Sequence, residues 1–239
     1  MRLRRIVKEN HGYNISQLGF FFNNKHSEAP GSLEHHKAFD KRGVVQRDSA
    51  DTSNVLGTVG GCELSVYDNE HCGDHLDIMS NFDITPEDES LVHKHQLETF
   101  CWSYRDGDVL LATAGGDGLV HIISLANSEE IMALQGHKKT IYDLQSHPHN
   151  DNMILSTSKD GTMRLWDIHS GQCLVVFEAD ATVACFDYSG TKLISGGSRG
   201  DLRLWNIPSS MNMMDDEPIV VEKRHSRLLK KLHGDSYID

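Results

Sequence analysis

Nowhere in the 239 residues do about 18 apolar side chains run together, which leaves no candidate for a membrane-spanning helix. The basic start, Arg2, Arg4, Arg5 and Lys8, is followed by no apolar stretch of signal-peptide length, so secretion and membrane association are not expected. The five cysteines, Cys62, Cys72, Cys101, Cys173 and Cys185, form an odd set with no CxxC pair, a pattern of reduced thiols rather than of a disulfide frame. Positive charge is also short. A net charge of −12 argues against nucleic-acid binding by the surface as a whole, and no sequence-specific contact is expected. Basic residues gather only at the start and at Lys223, Arg224, Arg227, Lys230 and Lys231, which read as solvated runs.

What is present is a repeat. The decapeptide from Ser158 to Asp167, SKDGTMRLWD, returns as SRGDLRLWN from Ser198 to Asn206, about 40 residues later, the spacing of a WD-repeat β-propeller. Four-stranded blades cannot bury both faces alone, so the period predicts an all-β stack of blades. Reading outward from the clearest copy gives a basic lead-in over 1–16 and a divergent first blade over 17–82 with a long loop at 24–52. The second blade covers 97–135, the third 136–178 and the core of the fourth 181–207, while 208–239 reads as a linker and the start of a truncated fifth. About four blades are visible, the expected part of a seven-bladed ring.

Within the third blade, residue types suggest one hydrogen-bonded chain. A buried indole N–H at Trp166 needs an acceptor, a neutral imidazole at His137 can both donate and accept, and a carboxylate at Asp160 fixes its tautomer, with Ser156 between them. Trp205 occupies the indole position in the fourth blade, whose hairpin aspartate is displaced to Asp201; Ile123 takes the indole's place in the second blade. These residues read as structural.

Catalytic and metal motifs find no support. Gly196-Gly197-Ser198-Arg199-Gly200 matches a nucleophile elbow in letters, but it stands in register with the hairpin at Ser158 and precedes a strand, not the helix an elbow requires. Gly115-Gly116-Asp117-Gly118 is a hairpin turn by the same register. The histidine pairs His35-His36, His93-x-His95 and His147-x-His149 lack further ligands at metal-site spacing. No catalytic residue, cofactor or metal is expected.

Several segments are specific beyond the repeat: Val7-Lys8-Glu9-Asn10-His11-Gly12, Leu18-Gly19-Phe20-Phe21-Phe22-Asn23, Leu56-Gly57-Thr58-Val59-Gly60-Gly61, Cys101-Trp102-Ser103-Tyr104 and Ser146-His147-Pro148. In order along residues 7–207, they resemble the embryonic ectoderm development / extra sex combs family, the propeller subunit of Polycomb repressive complex 2. The resemblance implies a non-catalytic nuclear chromatin scaffold that supports transcriptional repression. Its implied partners are a histone methyltransferase catalytic subunit, held in a groove at one end of the ring, and the histone H3 tail. An aromatic cage for trimethyl-lysine at the other end would place Phe22 as one wall. The second cage position falls at Glu98, which is not aromatic, and the rest would lie beyond Asp239. Two other WD-repeat classes remain open on the residues alone: a propeller associated with the origin recognition complex, and a generic adaptor such as a ubiquitin-ligase substrate receptor.

Overall fold

The computed structural model describes residues 13–21, 55–68, 77–86, 88–105, 108–209 and 217–231. Its strands are β1 (Ile15–Phe20), β2 (Val55–Gly60), β3 (Glu63–Asp68), β4 (Asp77–Asp83), β5 (Leu97–Arg105), β6 (Asp108–Gly115), β7 (Val120–Ser124) and β8 (Glu129–Leu134). These continue as β9 (Ile141–Ser146), β10 (Met153–Ser158), β11 (Thr162–Asp167), β12 (Gln172–Glu178), β13 (Ala181–Phe186), β14 (Lys192–Gly197), β15 (Asp201–Asn206), β16 (Ile219–Val221) and β17 (Arg227–Lys231). They form four sheets, β1-β2-β3-β4, β5-β6-β7-β8, β9-β10-β11-β12 with β16 at its edge, and β13-β14-β15-β17. Among the described residues, the sheets are four propeller blades, stacked in chain order through contacts between successive first and second strands.

The burial pattern follows from the stacking. The second strands of blades two and three, DVLLATAG and MILSTS, are buried at nearly every position, because both of their faces lie against a neighbouring sheet. Three apolar layers result. Val59, Leu64, Val66, Phe100 and Leu111 fill the first, Leu110, Ile122, Ile154 and Trp166 the second, and Leu165, Val175, Phe177, Leu193 and Trp205 the third. The outer strand β8, EEIMAL, alternates toward solvent and is mostly exposed.

A regular polar clasp links the first strands. The Phe100 N–H donates to Gln17 Oε1 at 2.7 Å, the Leu144 N–H to Thr99 Oγ1 at 3.2 Å, and the Ala184 N–H to Asp143 Oδ2 at 3.1 Å. Each acceptor sits two residues into its first strand and each donor three residues into the next blade's first strand. The equivalent acceptor position in blade four is Val183, which has no side-chain oxygen.

The structure corrects the organisation expected near the end of the chain. Part of 208–239, read as a linker and the start of a fifth blade, completes blades already begun. β17 pairs antiparallel with β15 as the outer strand of blade four, and β16 pairs parallel with β12, extending blade three to five strands. An outer strand has one solvated side, and Arg227 stands exposed there. Residues 232–239, where the fifth blade was expected to open, lie outside the described residues, as does the loop 24–52. Blade one begins at Ile15 rather than Gln17 and carries β4 as its fourth strand.

Candidate functional site

The third blade brings His137, Ser156, Asp160 and Trp166 together. Trp166 Nε1–H donates to Ser156 Oγ at 2.8 Å, Ser156 Oγ lies 2.7 Å from His137 Nε2, and His137 Nδ1 lies 2.9 Å from Asp160 Oδ2. Burial pushes the His137 imidazole below its usual value against the pull of Asp160, so it is neutral near pH 7. One proton arrangement satisfies every atom: indole N–H to serine oxygen, serine O–H to Nε2, and Nδ1–H to the carboxylate. Burial alone would raise the Asp160 carboxyl, but hydrogen bonds from Thr162 Oγ1 at 2.7 Å, the Lys138 N–H at 3.0 Å and His137 hold it at about 2. The chain ties the loop entering the blade to the hairpin between β10 and β11, where Gly161 takes φ of 86°.

Blades two and four wire the same positions differently. Opposite Leu111, where the indole would stand, is Ile123. Thr113, at the register of Ser156, donates into its own sheet at the Thr99 carbonyl, 3.1 Å away. The hairpin aspartate Asp117 instead meets His121 Nε2 at 2.8 Å, while His121 Nδ1 lies 3.1 Å from Glu130 Oε1. Burial lowers the His121 pKa, but the two carboxylates outweigh it and the net shift is upward. Trp205 belongs to a shorter chain of its own, donating to Ser195 Oγ at 2.8 Å. Asp201, expected as blade four's displaced hairpin acid, pairs with Arg203 Nε at 2.8 Å and does not extend that chain.

Of the two cage positions, Phe22 lies outside the described residues and Glu98 is exposed on β5. Phe21 turns inward, 8 % exposed, with its ring 5.3 Å from Trp102 at an interplanar angle of 62°. Beside this pair lies a cavity of about 250 Å³ on the inner strands of blades one to three, with Phe20, Phe100, Trp102, Tyr104 and Asp151 among its walls. Phe100, Trp102 and Tyr104 alternate along β5, so a period of two in aromatic residues was the signal for this wall, noticed in the sequence only as a family marker.

Ser198 and the His147, His149 pair belong to the blades, while His35-His36 lies outside the described residues. Ser198 lies in the hairpin between β14 and β15, its hydroxyl donating to Asp180 Oδ2 at 3.0 Å. His147 and His149 join blade three to blade four: Nε2 of His147 lies 2.9 Å from the Gly190 carbonyl, and Nε2 of His149 lies 2.6 Å from that of Tyr188. Among the described residues, no three His, Cys, Asp or Glu side chains converge as a metal site.

The family profile of the WD domain, G-beta repeat, matches residues 128–167, the outer strand of blade two through the third strand of blade three. The chain is 28 % identical to Polycomb protein esc of Drosophila melanogaster over 207 residues, covering 83 % of this chain and 41 % of that protein. It is 32 % identical to Polycomb protein esc of Musca domestica over 155 residues, covering 62 % of this chain and 35 % of that one. Polycomb group protein FIE2 of Zea mays is 30 % identical over 126 residues, 52 % of this chain and 31 % of that protein. The chain thus spans about two fifths of the length of the fly protein it matches. Its fold superposes on a chain from the crystal structure of an active polycomb repressive complex 2 in the basal state with a TM-score of 0.69 at 19 % identity, over 92 % of this chain and 43 % of that one. A chain of the Chaetomium thermophilum complex bound to GSK126 gives the same TM-score and identity over 95 % of this chain and 49 % of that one. The repeat and the four stacked sheets are those of a WD-repeat β-propeller, and the sequence running through them is similar to that of Polycomb protein esc.

Proposed function

We propose that the chain is a non-catalytic chromatin scaffold that acts in the nucleus, holding a histone H3 lysine methyltransferase and supporting transcriptional repression. The observation that carries this reading is the 28 % identity to a Polycomb protein over 207 residues, on an arc of blades whose Ser156–His137–Asp160 row has its serine fully buried, out of reach of a substrate. The polar chain at His137 is closed on itself, every proton having an acceptor, which suits a structural fastening rather than proton transfer to a substrate. Trimethyl-lysine recognition belongs to the same reading and rests on Phe22, with Glu98 giving its other cage position a carboxylate instead of a ring. A quaternary ammonium is held by aromatic faces, so a carboxylate at Glu98 in place of a ring would weaken that wall of the cage.

Affinity purification of the tagged chain from nuclei tests the scaffold role. Recovery of a SET-domain methyltransferase is expected; recovery only of cullin or origin-recognition subunits would overturn it. A trimethyl-lysine peptide array addresses the cage separately, with weak or absent binding expected.

A further inference from the structure

We propose that His121 is a proton-gated latch tying the outer strand of blade two to the hairpin between β6 and β7, closed while the imidazole carries its second proton and open once that proton leaves. Both ring nitrogens face carboxylates. Nε2 lies 2.8 Å from Asp117 Oδ2 on the hairpin, and Nδ1 lies 3.1 Å from Glu130 Oε1 on β8. An imidazolium donates at both places, whereas a neutral ring has a single N–H and turns a lone pair toward the other carboxylate. The protonated ring is therefore the form that fits this geometry. Burial works against that charge, and hydrogen bonds and charge from the two acids more than offset it, raising the pKa above 6.5.

The neighbouring strands bring no other charge to the ring. β6 sets Thr113 opposite His121, its hydroxyl given to the Thr99 carbonyl at 3.1 Å, and β8 sets Ala133 there. On the far side of Asp117, His95 of the entering loop holds Nδ1 3.9 Å from the carboxylate. Cys62 of blade one feels the negative charges of Asp83, Glu63 and Asp117, so that side is acidic, while Lys94 and Glu129 stand exposed. The two ends of the latch are unequal. The Asp117 side chain is 8 % exposed and also accepts the Leu119 N–H at 3.1 Å, and the adjacent Gly116 N–H donates to the Gln96 carbonyl at 2.8 Å, which fixes the hairpin. Glu130 is 41 % exposed on a strand with one free edge, beside a slip in the β7–β8 register between Ile122 and Ile123. When the ring loses a proton, the remaining N–H stays with Asp117 and Glu130 turns to water. The link is full below 6.5 and is lost as pH rises through the raised folded value, so β8 is held in mild acid and loosened above that value.

NMR of the full chain, with its histidines assigned, tests the latch between pH 5.5 and pH 9. The ring nitrogen shifts of His121 should show both nitrogens protonated at the acid end and the Nε2–H tautomer at the alkaline end, with a midpoint above 6.5. Protection of the β8 amides against hydrogen exchange, corrected for the intrinsic rate at each pH, should fall about threefold across the same midpoint. Glu130→Gln separates gating from simple contact, because a glutamine amide can accept from the protonated ring and, turned over, donate to the neutral one. In that variant the midpoint should move down by about 0.5 pH unit and the β8 protection should stay flat with pH. A midpoint at or below 6.5, a neutral ring protonated on Nδ1, or β8 protection that does not follow His121 overturns the proposal on the parent chain alone. A folded Glu130→Gln variant that leaves the midpoint and the pH dependence of β8 unchanged overturns it as well.

Discussion

His121 and His137 each lie against a hairpin aspartate in neighbouring blades, yet their surroundings shift their pKa values in opposite directions. The pKa of His121 is raised in the fold, so its contribution is full below the unfolded value near 6.5 and is lost as pH climbs through the folded one. His137 is depressed, so its contribution is full above about 6.5 and falls as acid charges the unfolded chain first. Urea unfolding between pH 8 and pH 6 should therefore separate them. His137→Gln should make stability rise more steeply on acidification than in the parent, and His121→Gln should make it fall. Equal slopes in the two variants would contradict the opposed shifts. His137→Ala should in addition cost about 2–3 kcal/mol at pH 7.5, because Ser156 and Asp160 each lose a buried partner. Gly57 is a different kind of dependence. A Cβ there would come within 2.7 Å of Phe100 and 3.0 Å of Trp102, so Gly57→Ala should lower stability by about 1–3 kcal/mol and shift Trp102 emission.

At the scale of the strand, the clasp at Asp143 holds a buried carboxylate with no cation among the groups that move its pKa. Burial pushes that pKa up, only partly offset by the hydrogen bonds it accepts from Ala184, Gln145 and Leu144. Ionisation at neutral pH thus weakens the fold, and protonation relieves the cost as pH falls through the raised value. Asp143→Asn keeps an oxygen for the Ala184 N–H, and Gln145 can turn its amide to match. The melting temperature at pH 7 should hold or rise, with the gain shrinking toward pH 4, whereas Asp143→Ala should lose about 1–2 kcal/mol. The same strands explain what was legible. Blade three and the core of blade four could be read because an indole and a hairpin glycine recur at fixed offsets, Trp166 with Gly161 and Trp205 with Gly200. β17 was hidden because Arg227, Lys230 and Lys231 in sequence look like a charge run, and β16 because three residues carry no period. The rewiring of Asp117 from the entering loop to His121 depends on side chains meeting across a sheet, which no one-dimensional spacing records.

For the whole molecule, charge and architecture make a joint prediction. A chain of net charge −12, with the basic residues Lys223, Arg224 and Arg227 at an outer edge of blade four, should not retard duplex DNA in a gel shift at about 150 mM salt, where the Debye length is near 8 Å. A shift that survives such salt would give the edge at Lys223–His225 and β17 a role as a phosphate-binding surface. The stacking order was readable from the period, while the cavity was not, since its walls come from three blades and from residues as far apart as Phe20 and Asp151.

Glutamine, threonine and aspartate share neither length nor charge nor shape, yet each places an oxygen at the same seam between sheets. What recurs there is a point in space and not a letter, so a search for identity between copies is blind at the joint where the copies are most alike. A seam of this kind tolerates drift in the residue so long as the atom arrives, and blades built on it can diverge in sequence while still joined strand to strand.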